Sequence, residues 1–133
     1  EQIVRQYIQN THGNLHKFKA EHLLPLLHES FQFSNESQRH DTKSLVQTFL
    51  GWQSIVDTNS PNQVRIQSIC KGDEVKDSTT VAAKWQTDYS TKKENVTFYG
   101  TDVDISGISV TGFQVLAFFD LTRDGKDSKW KIK

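Results

Sequence analysis

The chain contains 133 residues, a length that suits one domain with a single hydrophobic core. Sixteen lysine and arginine residues balance sixteen aspartate and glutamate residues, and no long run of one charge occurs. We therefore expect no nucleic-acid partner, because binding to nucleic acid selects for a basic surface. We also expect no membrane partner, because no apolar run approaches the roughly 20 residues that span a bilayer.

Cys70 is the only cysteine of the chain. It has no second cysteine with which to form an intrachain disulfide, and zinc sites built from several thiolates are excluded. Nothing in the cysteine usage requires an oxidising compartment, so we expect a cytoplasmic protein. We expect the Cys70 side chain to be a small buried hydrophobic group at the end of a strand.

Helical spacing of apolar residues dominates the first third of the chain. It predicts a helix over residues 2–10 and a second helical stretch over residues 14–29. Pro25 lies inside the second stretch and cannot donate a backbone hydrogen bond, so we predict a separate short helix over about 21–29. The apolar face of the first helix consists of Ile3, Val4, Tyr7 and Ile8.

A short strand and a third helix follow. Residues 31–34 alternate between apolar and polar, which predicts a strand, and the polar residues 34–42 predict a loop. Asp41 or Thr42 can cap the third helix, which we expect to run to about Val56.

The hydrophobic period changes to two after residue 62, which predicts antiparallel strands. Turn residues are expected at Asn59–Asn62, at Ser106-Gly107 and Thr111-Gly112, and at Asp124-Gly125, where a hairpin turn needs a positive φ. The strands are predicted to begin at Val64, Val81, Val96, Phe113 and Lys129. In the first of them one face consists of Val64, Ile66, Ser68 and Cys70. In the second, one face consists of Val81, Ala83, Trp85, Thr87 and Tyr89.

The strand over Phe113–Thr122 is apolar on both faces. Phe113, Val115 and Phe119 would lie on one side, and Leu116 and Phe118 on the other. Helices can cover only one of these faces, so we expect a second copy of the chain to cover the other and form a homodimer.

Helices first and antiparallel strands afterwards indicate an α+β fold. Three segments of the sequence resemble the nuclear transport factor 2-like superfamily, and within it the SnoaL-like group: Ile3–Phe33, Asp41–Val56 and Gly107–Lys126. The last of these is similar to the family's Thr-Gly bend, apolar strand and Asp-Gly-Lys turn. These signals concern strand geometry, so they bear on the fold rather than on an activity.

The resemblance implies one SnoaL-like domain over residues 1–133. Its three N-terminal helices would pack on a strongly curved antiparallel sheet, a cystatin-like cone with a cavity at its open end. Family members include polyketide cyclases, ketosteroid isomerase, scytalone dehydratase and limonene epoxide hydrolase, as well as non-catalytic binding modules.

Catalytic residues of the family carry over only in part. Tyr7 lies where ketosteroid isomerase has its oxyanion-stabilising tyrosine, but Asn35 lies near the position of the general-base carboxylate, and an amide cannot replace that base. SnoaL-like cyclases have a His-Trp-Asp run after the Gly-Lys turn. The corresponding segment here is Ser128-Lys129-Trp130-Lys131, without histidine or aspartate.

The residues leave two functions open. The first is a cofactor-independent isomerase, dehydratase or cyclase acting on a small hydrophobic ligand, with Tyr89, Asp102 and His40 as its acid–base groups. The second is a non-catalytic ligand-binding or dimeric protein-interaction module. In either case we expect a ligand pocket lined by Tyr7, Phe33, Trp52, Trp85, Phe119 and Trp130.

No cofactor and no metal are expected. His12 and His16 have the four-residue spacing of a metal-binding pair on a helix, but Gly13 interrupts that helix and no third ligand is evident. The sequence also lacks a glycine-rich loop for binding phosphate. Trp85 and Tyr89 have an alternative role. Instead of lining a pocket, both rings would pack in the hydrophobic core, with the indole N–H and the phenol O–H hydrogen-bonded to other groups. Asp102 shares a strand face with Asp104. The alternative to an acid–base role is that these carboxylates are exposed to solvent at the end of a strand.

Overall fold

The computed structural model describes residues 2–13, 15–35, 38–56, 63–91, 95–98, 101–104 and 109–133. Helical segments come first in the chain and antiparallel strands follow, which confirms the predicted α+β class. No helix in this part of the chain has both the length and the apolar character needed to cross a bilayer. The predicted turn at Asn59–Asn62 and the bend at Ser106-Gly107 lie outside the described residues.

The first helix, α1, spans Gln2–Ile8 and continues into a single wide π-helical turn over Gln9–Gly13. Its buried face includes Val4, Tyr7 and Ile8, as the apolar spacing predicts. The hydroxyl of Thr11 donates to the carbonyl of Tyr7 at 2.7 Å. That bond lies where the helix widens, and it keeps the buried Thr11 hydroxyl partnered.

Single 3₁₀ turns replace the expected second helix. They cover Leu15–Lys17, Ala20–His22 and Leu24–Leu26. The predicted continuous helix over 21–29 is therefore wrong. Pro25 occupies the start of the last turn, and because it has no backbone N–H, the preceding turn is not extended through it.

A short hairpin precedes the long helix. Strand β1 (Phe33–Asn35) pairs with β2 (Gln38–His40), so the prediction of a loop over 34–42 was wrong at β2. The long helix, α2, spans Thr42–Ile55. It begins where expected, because the Asp41 carboxylate accepts a hydrogen bond from the backbone N–H of Ser44 at 2.9 Å.

The main sheet has four antiparallel strands in the order β3-β4-β7-β8. Their ranges are Gln63–Lys71, Ser78–Ser90, Ser109–Thr122 and Lys131–Ile132. The prediction of one strand beginning at Val96 is wrong. The described residues of this segment form two strands, β5 (Asn95–Phe98) and β6 (Thr101–Asp104), which pair with each other as a separate ribbon.

The core lies between the helical segments and one face of the main sheet, here called the inner face. On β4 the inner side chains from Val81 to Thr87 are buried, and on β7 Phe119 and Leu121 are buried. The helical part is joined to the edge strand β8, where the backbone N–H of His28 donates to the carbonyl of Ile132 at 2.7 Å. The inner-face parity predicted for β4 is therefore confirmed.

Strand β3 departs from the predicted alternation. The pairing register between β3 and β4 shifts between Ile66 and Ser68, and beyond the shift Ile69 is half-buried while Cys70 is exposed. The prediction of a buried Cys70 is wrong, because one irregular residue in a strand exchanges the faces of all residues after it.

A second irregularity lies opposite the end of β4. Thr87 pairs with Phe113 but Tyr89 pairs with Val110, so β7 carries an extra residue at Thr111-Gly112. Gly112 has a φ of +74°, and its N–H donates to the Asp88 carboxylate at 2.7 Å. The predicted Thr-Gly bend thus coincides with a β-bulge whose backbone favours glycine.

Gly112→Ala should destabilise the protein by about 2 kcal/mol, because a Cβ strains a positive φ and here also meets another side chain. A Cβ at Gly112 would lie 2.8 Å from the amide nitrogen of Gln86, whereas a Cβ at Gly125, where φ is +123°, would meet nothing within 4 Å. Both glycines have a positive φ, so chemical denaturation should show a loss of stability for Gly112→Ala and for Gly125→Ala. A Gly112→Ala variant as stable as the wild type would contradict the strain at the bulge.

Candidate functional site

A cluster of aromatic rings joins the helices to the inner face of the sheet. The Tyr7 ring lies 5.3 Å from Phe119 and 6.3 Å from Phe49, centroid to centroid, and Trp85 lies 6.3 Å from Phe119. Burial raises the pKa of Tyr7, so its phenol is neutral at pH 7. Three predicted pocket residues, Tyr7, Trp85 and Phe119, therefore lie together, and their contacts with one another are those of a packed core.

His12 extends this cluster from the π-helical turn. Its ring lies 5.6 Å from Phe49 of α2 and 5.4 Å from Trp85 of β4. The side chain keeps some accessible surface, yet protein atoms surround it closely enough that burial lowers its pKa from 6.5 to about 4. The imidazole is therefore neutral at pH 7, with one nitrogen able to donate and the other able to accept a hydrogen bond.

Two polar atoms of β4 are buried without a hydrogen-bond partner. They are Trp85 Nε1 and Thr87 Oγ1, on side chains whose residues are 2% and 4% exposed. A buried donor without a partner costs about 1–3 kcal/mol, so such atoms are rare in packed interiors. A third atom of this kind, His16 Nδ1, belongs to the turn Leu15–Lys17.

Exposed aromatic surface lies beside Thr87 on the same face of the sheet. Tyr89, the next inner-face residue of β4, is half-buried, and its ring lies 6.3 Å from that of Trp52 on α2. Phe113 pairs directly with Thr87, which places both side chains on the same face, yet Phe113 is 52% exposed. We call the surface formed by Trp52, Trp85, Thr87, Tyr89 and Phe113, with His12 behind Trp85, the aromatic recess.

The structure separates two of the three predicted acid–base residues, Tyr89 and His40. Tyr89 contacts Trp52, whereas His40 lies 3.2 Å from the Ser44 hydroxyl. Ser44 and Trp52 are eight residues apart on α2, which is about 12 Å along the helix axis. Asp102 is exposed on β6, in the ribbon that does not pair with the main sheet.

Two predicted pocket residues have other surroundings. Phe33 lies against His40, with ring centroids 5.9 Å apart. The guanidinium of Arg123 stacks 4.6 Å above the Trp130 ring and also forms ion pairs with Glu74 at 2.9 Å and Asp77 at 3.0 Å. Trp130 therefore takes part in a clamp at the end of the sheet far from Tyr89, and its contacts account for it structurally.

A wide groove lies at that same far end. It has a volume of about 580 Å³ and opens broadly to solvent, with a lining that includes Ser30, Asp73, Thr79, Asp120 and Lys133. Ligand sites for small molecules are mostly enclosed and apolar. The groove therefore offers less for binding a hydrophobic molecule than the aromatic recess does.

No protein-family model matches the chain, and no curated protein matches it. Within the described ranges, no group of three or more histidine, cysteine, aspartate or glutamate side chains is placed to hold a metal ion.

Sequence reasoning missed the place of His12 and Thr87 in the site. It considered His12 only as a metal ligand paired with His16. The helical spacing from Val4 through Ile8 to His12 runs in steps of four, which places all three on one helix face and could have indicated a buried histidine. No comparable signal marked Thr87, because an unpartnered hydroxyl depends on what other elements place beside it.

Acid should destabilise the protein through His12. The folded state keeps His12 neutral down to about pH 4, while the unfolded chain binds a proton near pH 6.5, so stability is complete above about pH 7 and is lost as the pH falls from 6.5 towards 4. At pH 5 the expected loss is about 2 kcal/mol relative to pH 7.

Urea denaturation at pH 7 and pH 5 checks this expectation. His12→Phe keeps a ring against Phe49 and Trp85 and should remove most of the loss, whereas the exposed His22→Phe should leave it unchanged. The comparison stays above the range in which Asp41 is protonated, since the Ser44 N–H lowers the pKa of that carboxyl below its usual value. An unchanged pH dependence in His12→Phe would contradict the assignment.

Proposed function

We propose that this protein binds a small hydrophobic ligand in the aromatic recess. The observation that carries the proposal is the pair of buried, unpartnered atoms Trp85 Nε1 and Thr87 Oγ1 beside the half-exposed ring of Phe113. An exposed apolar ring together with unused hydrogen-bonding groups is the combination that ligand sites provide, because the rings supply affinity and the polar groups fix orientation. Neither feature contributes to stability on its own.

The proposed architecture is that of the nuclear transport factor 2-like superfamily, SnoaL-like group. It is supported by the order of helices and strands, by the bulge at Gly112, and by the positive φ of Gly125 in the turn after β7. Bulges bend strands and increase their twist. On this proposal the main sheet curves around the helices, and the aromatic recess lies at the mouth of the resulting cone.

Binding without catalysis is the form of the proposal that the geometry favours. An acid–base enzyme needs a base within reach of the ligand and with a pKa near the working pH. Among the described groups of the recess only His12 can act as a base near neutral pH, and a pKa of about 4 makes it a weak one. The predicted partners Tyr89 and His40 lie near different ends of α2.

A neutral apolar dye tests the ligand site. N-phenyl-1-naphthylamine, whose fluorescence rises in apolar surroundings, should bind the wild-type protein, and Trp52→Leu should weaken binding about tenfold by removing a wall of the recess. The matched control is Trp130→Leu, which removes the tryptophan that stacks on Arg123 and should leave the affinity unchanged. Equal affinities of the wild type and Trp52→Leu would contradict the location of the site.

We also propose that the protein is a homodimer through the outer face of β7. Leu116 and Phe118 project from this face and are 64% and 72% exposed. They lie between Lys84, which pairs with Leu116, and Asp120. A twofold axis crossing the strands near Phe118 would place Lys84 of one copy opposite Asp120 of the other, so the surface is complementary to itself.

Light scattering at micromolar concentration should give twice the 15.3 kDa of the single chain. Phe118→Lys should give the monomer, because a desolvated charge would then lie at the centre of the interface. The control Leu24→Lys changes another exposed apolar residue, on a 3₁₀ turn, and should remain dimeric. A wild-type particle of 15.3 kDa would end the dimer proposal without affecting the ligand site.

A further inference from the structure

We infer that the ligand of the aromatic recess is an uncharged, planar ring compound with a hydrogen-bond acceptor, such as a carbonyl oxygen or an aromatic ring nitrogen, directed at Trp85 Nε1. This inference rests on the proposed function and adds the chemical class of the ligand. It follows from the hydrogen-bonding capacity of Trp85 and Thr87, the charge of the inner face and the shape of the walls.

The indole of Trp85 requires an acceptor. An indole N–H can only donate a hydrogen bond, so no donor group on a ligand can satisfy it. Thr87, two residues further along the same face, has a hydroxyl that can donate or accept and adjusts to whatever the ligand offers. Because both residues are more than nine-tenths buried, each new hydrogen bond would form out of contact with bulk water.

The surroundings favour a neutral acceptor over an anion. The inner-face side chains of β4, of β7 and of β3 as far as Ile69 are uncharged. Lys71, which pairs with Val81, is exposed at the end of β3 far from Tyr89, and Lys84 is on the opposite, exposed face of β4. Asp88, also on that opposite face, is paired with Arg65 at 3.7 Å and with the Gly112 N–H. A carboxylate in the recess would lose its hydration without gaining a cation, which is costly.

The walls favour a flat ring. Trp52, Tyr89 and Phe113 present partly exposed aromatic surface beside Thr87, since Phe113 pairs with Thr87 and Tyr89 follows it on the same face in contact with Trp52. Aromatic side chains pack against other rings in offset or edge-to-face arrangements that add to the area they bury. On this inference a planar ring system contacts these walls, and its acceptor reaches the indole N–H by displacing the side chains that cover it in the ligand-free protein.

Three naphthalenes of nearly equal size separate the contribution of the hydrogen-bond acceptor from that of the apolar ring and from that of a negative charge. 2-Acetonaphthone carries a neutral carbonyl, 2-ethylnaphthalene has no acceptor, and 2-naphthoate carries a charged one. Isothermal titration of the wild-type protein should show that the ketone binds at least about tenfold more tightly than the hydrocarbon, the gain expected for a donor otherwise buried unpaired. The carboxylate should bind more weakly than the ketone.

Two further measurements locate the bond. Thr87→Val should reduce the advantage of the ketone over the hydrocarbon while leaving binding of the hydrocarbon nearly unchanged. In the wild-type protein, 2-acetonaphthone should move the indole N–H resonance of Trp85 downfield, as a new hydrogen bond does, and 2-ethylnaphthalene should not. Trp52→Phe and Trp130→Phe assign the three indole signals, so no variant of the buried Trp85 is needed.

The outcomes distinguish this inference from the proposed function. Equal affinities for ketone and hydrocarbon, both weakened by Trp52→Leu, would overturn the acceptor requirement and leave the hydrophobic site intact. Tighter binding of 2-naphthoate than of the ketone would overturn the neutrality of the ligand. Failure of all three compounds to bind would overturn the inference together with the ligand-binding function.

Discussion

The contact between the helical part and the inner face of the sheet, made through edge-to-face and tilted aromatic rings, is the interaction on which the rest of the structure depends. Tyr7 of α1 contacts Phe119 of the sheet and Phe49 of α2, and His12 contacts both Phe49 and Trp85. Large aromatic rings supply much buried area per residue, which suits a chain with only 35% hydrophobic residues. The same contact buries the indole N–H of Trp85, so the core and the candidate site share one set of side chains.

This sharing explains why the recess is uncharged and partly unsatisfied. Burial holds the His12 imidazole neutral, and the helices that cover Trp85 offer its N–H no carbonyl. A core that leaves donors unpaired is less stable than one that pairs them. Proteins often accept such costs at functional sites, and this is the ground for our proposal that the recess binds a ligand.

The sequence predicts those parts of the fold that depend on local periodicity and turn chemistry. The face of α1, the Asp41 cap of α2 and the inner face of β4 follow from spacing and capping alone. The predictions fail where a single residue interrupts the regular spacing of apolar residues along a helix or strand. Pro25 divides a helical stretch into single turns, and the register shift after Ile66 exposes Cys70.

The candidate site was predictable only in part. Trp52, Trp85 and Tyr89 are large rings on buried faces, so pattern reasoning could select them. The arrangement of Thr87 opposite an exposed Phe113, and of His12 between two aromatic rings, depends on strand register and helix packing. Those are long-range properties that no local spacing contains, and for the same reason His40 could be expected beside Tyr89 when it lies elsewhere.

Solvent exchange of the three indole N–H protons tests the central claim most directly. In the ligand-free protein at neutral pH, the Trp85 indole should exchange with D₂O far more slowly than that of Trp52, while its chemical shift remains that of an indole without a hydrogen-bond acceptor. That combination would establish a donor that is buried and unused. A Trp85 indole that exchanges as fast as Trp52, or that shows the downfield shift of an existing hydrogen bond, would contradict the account.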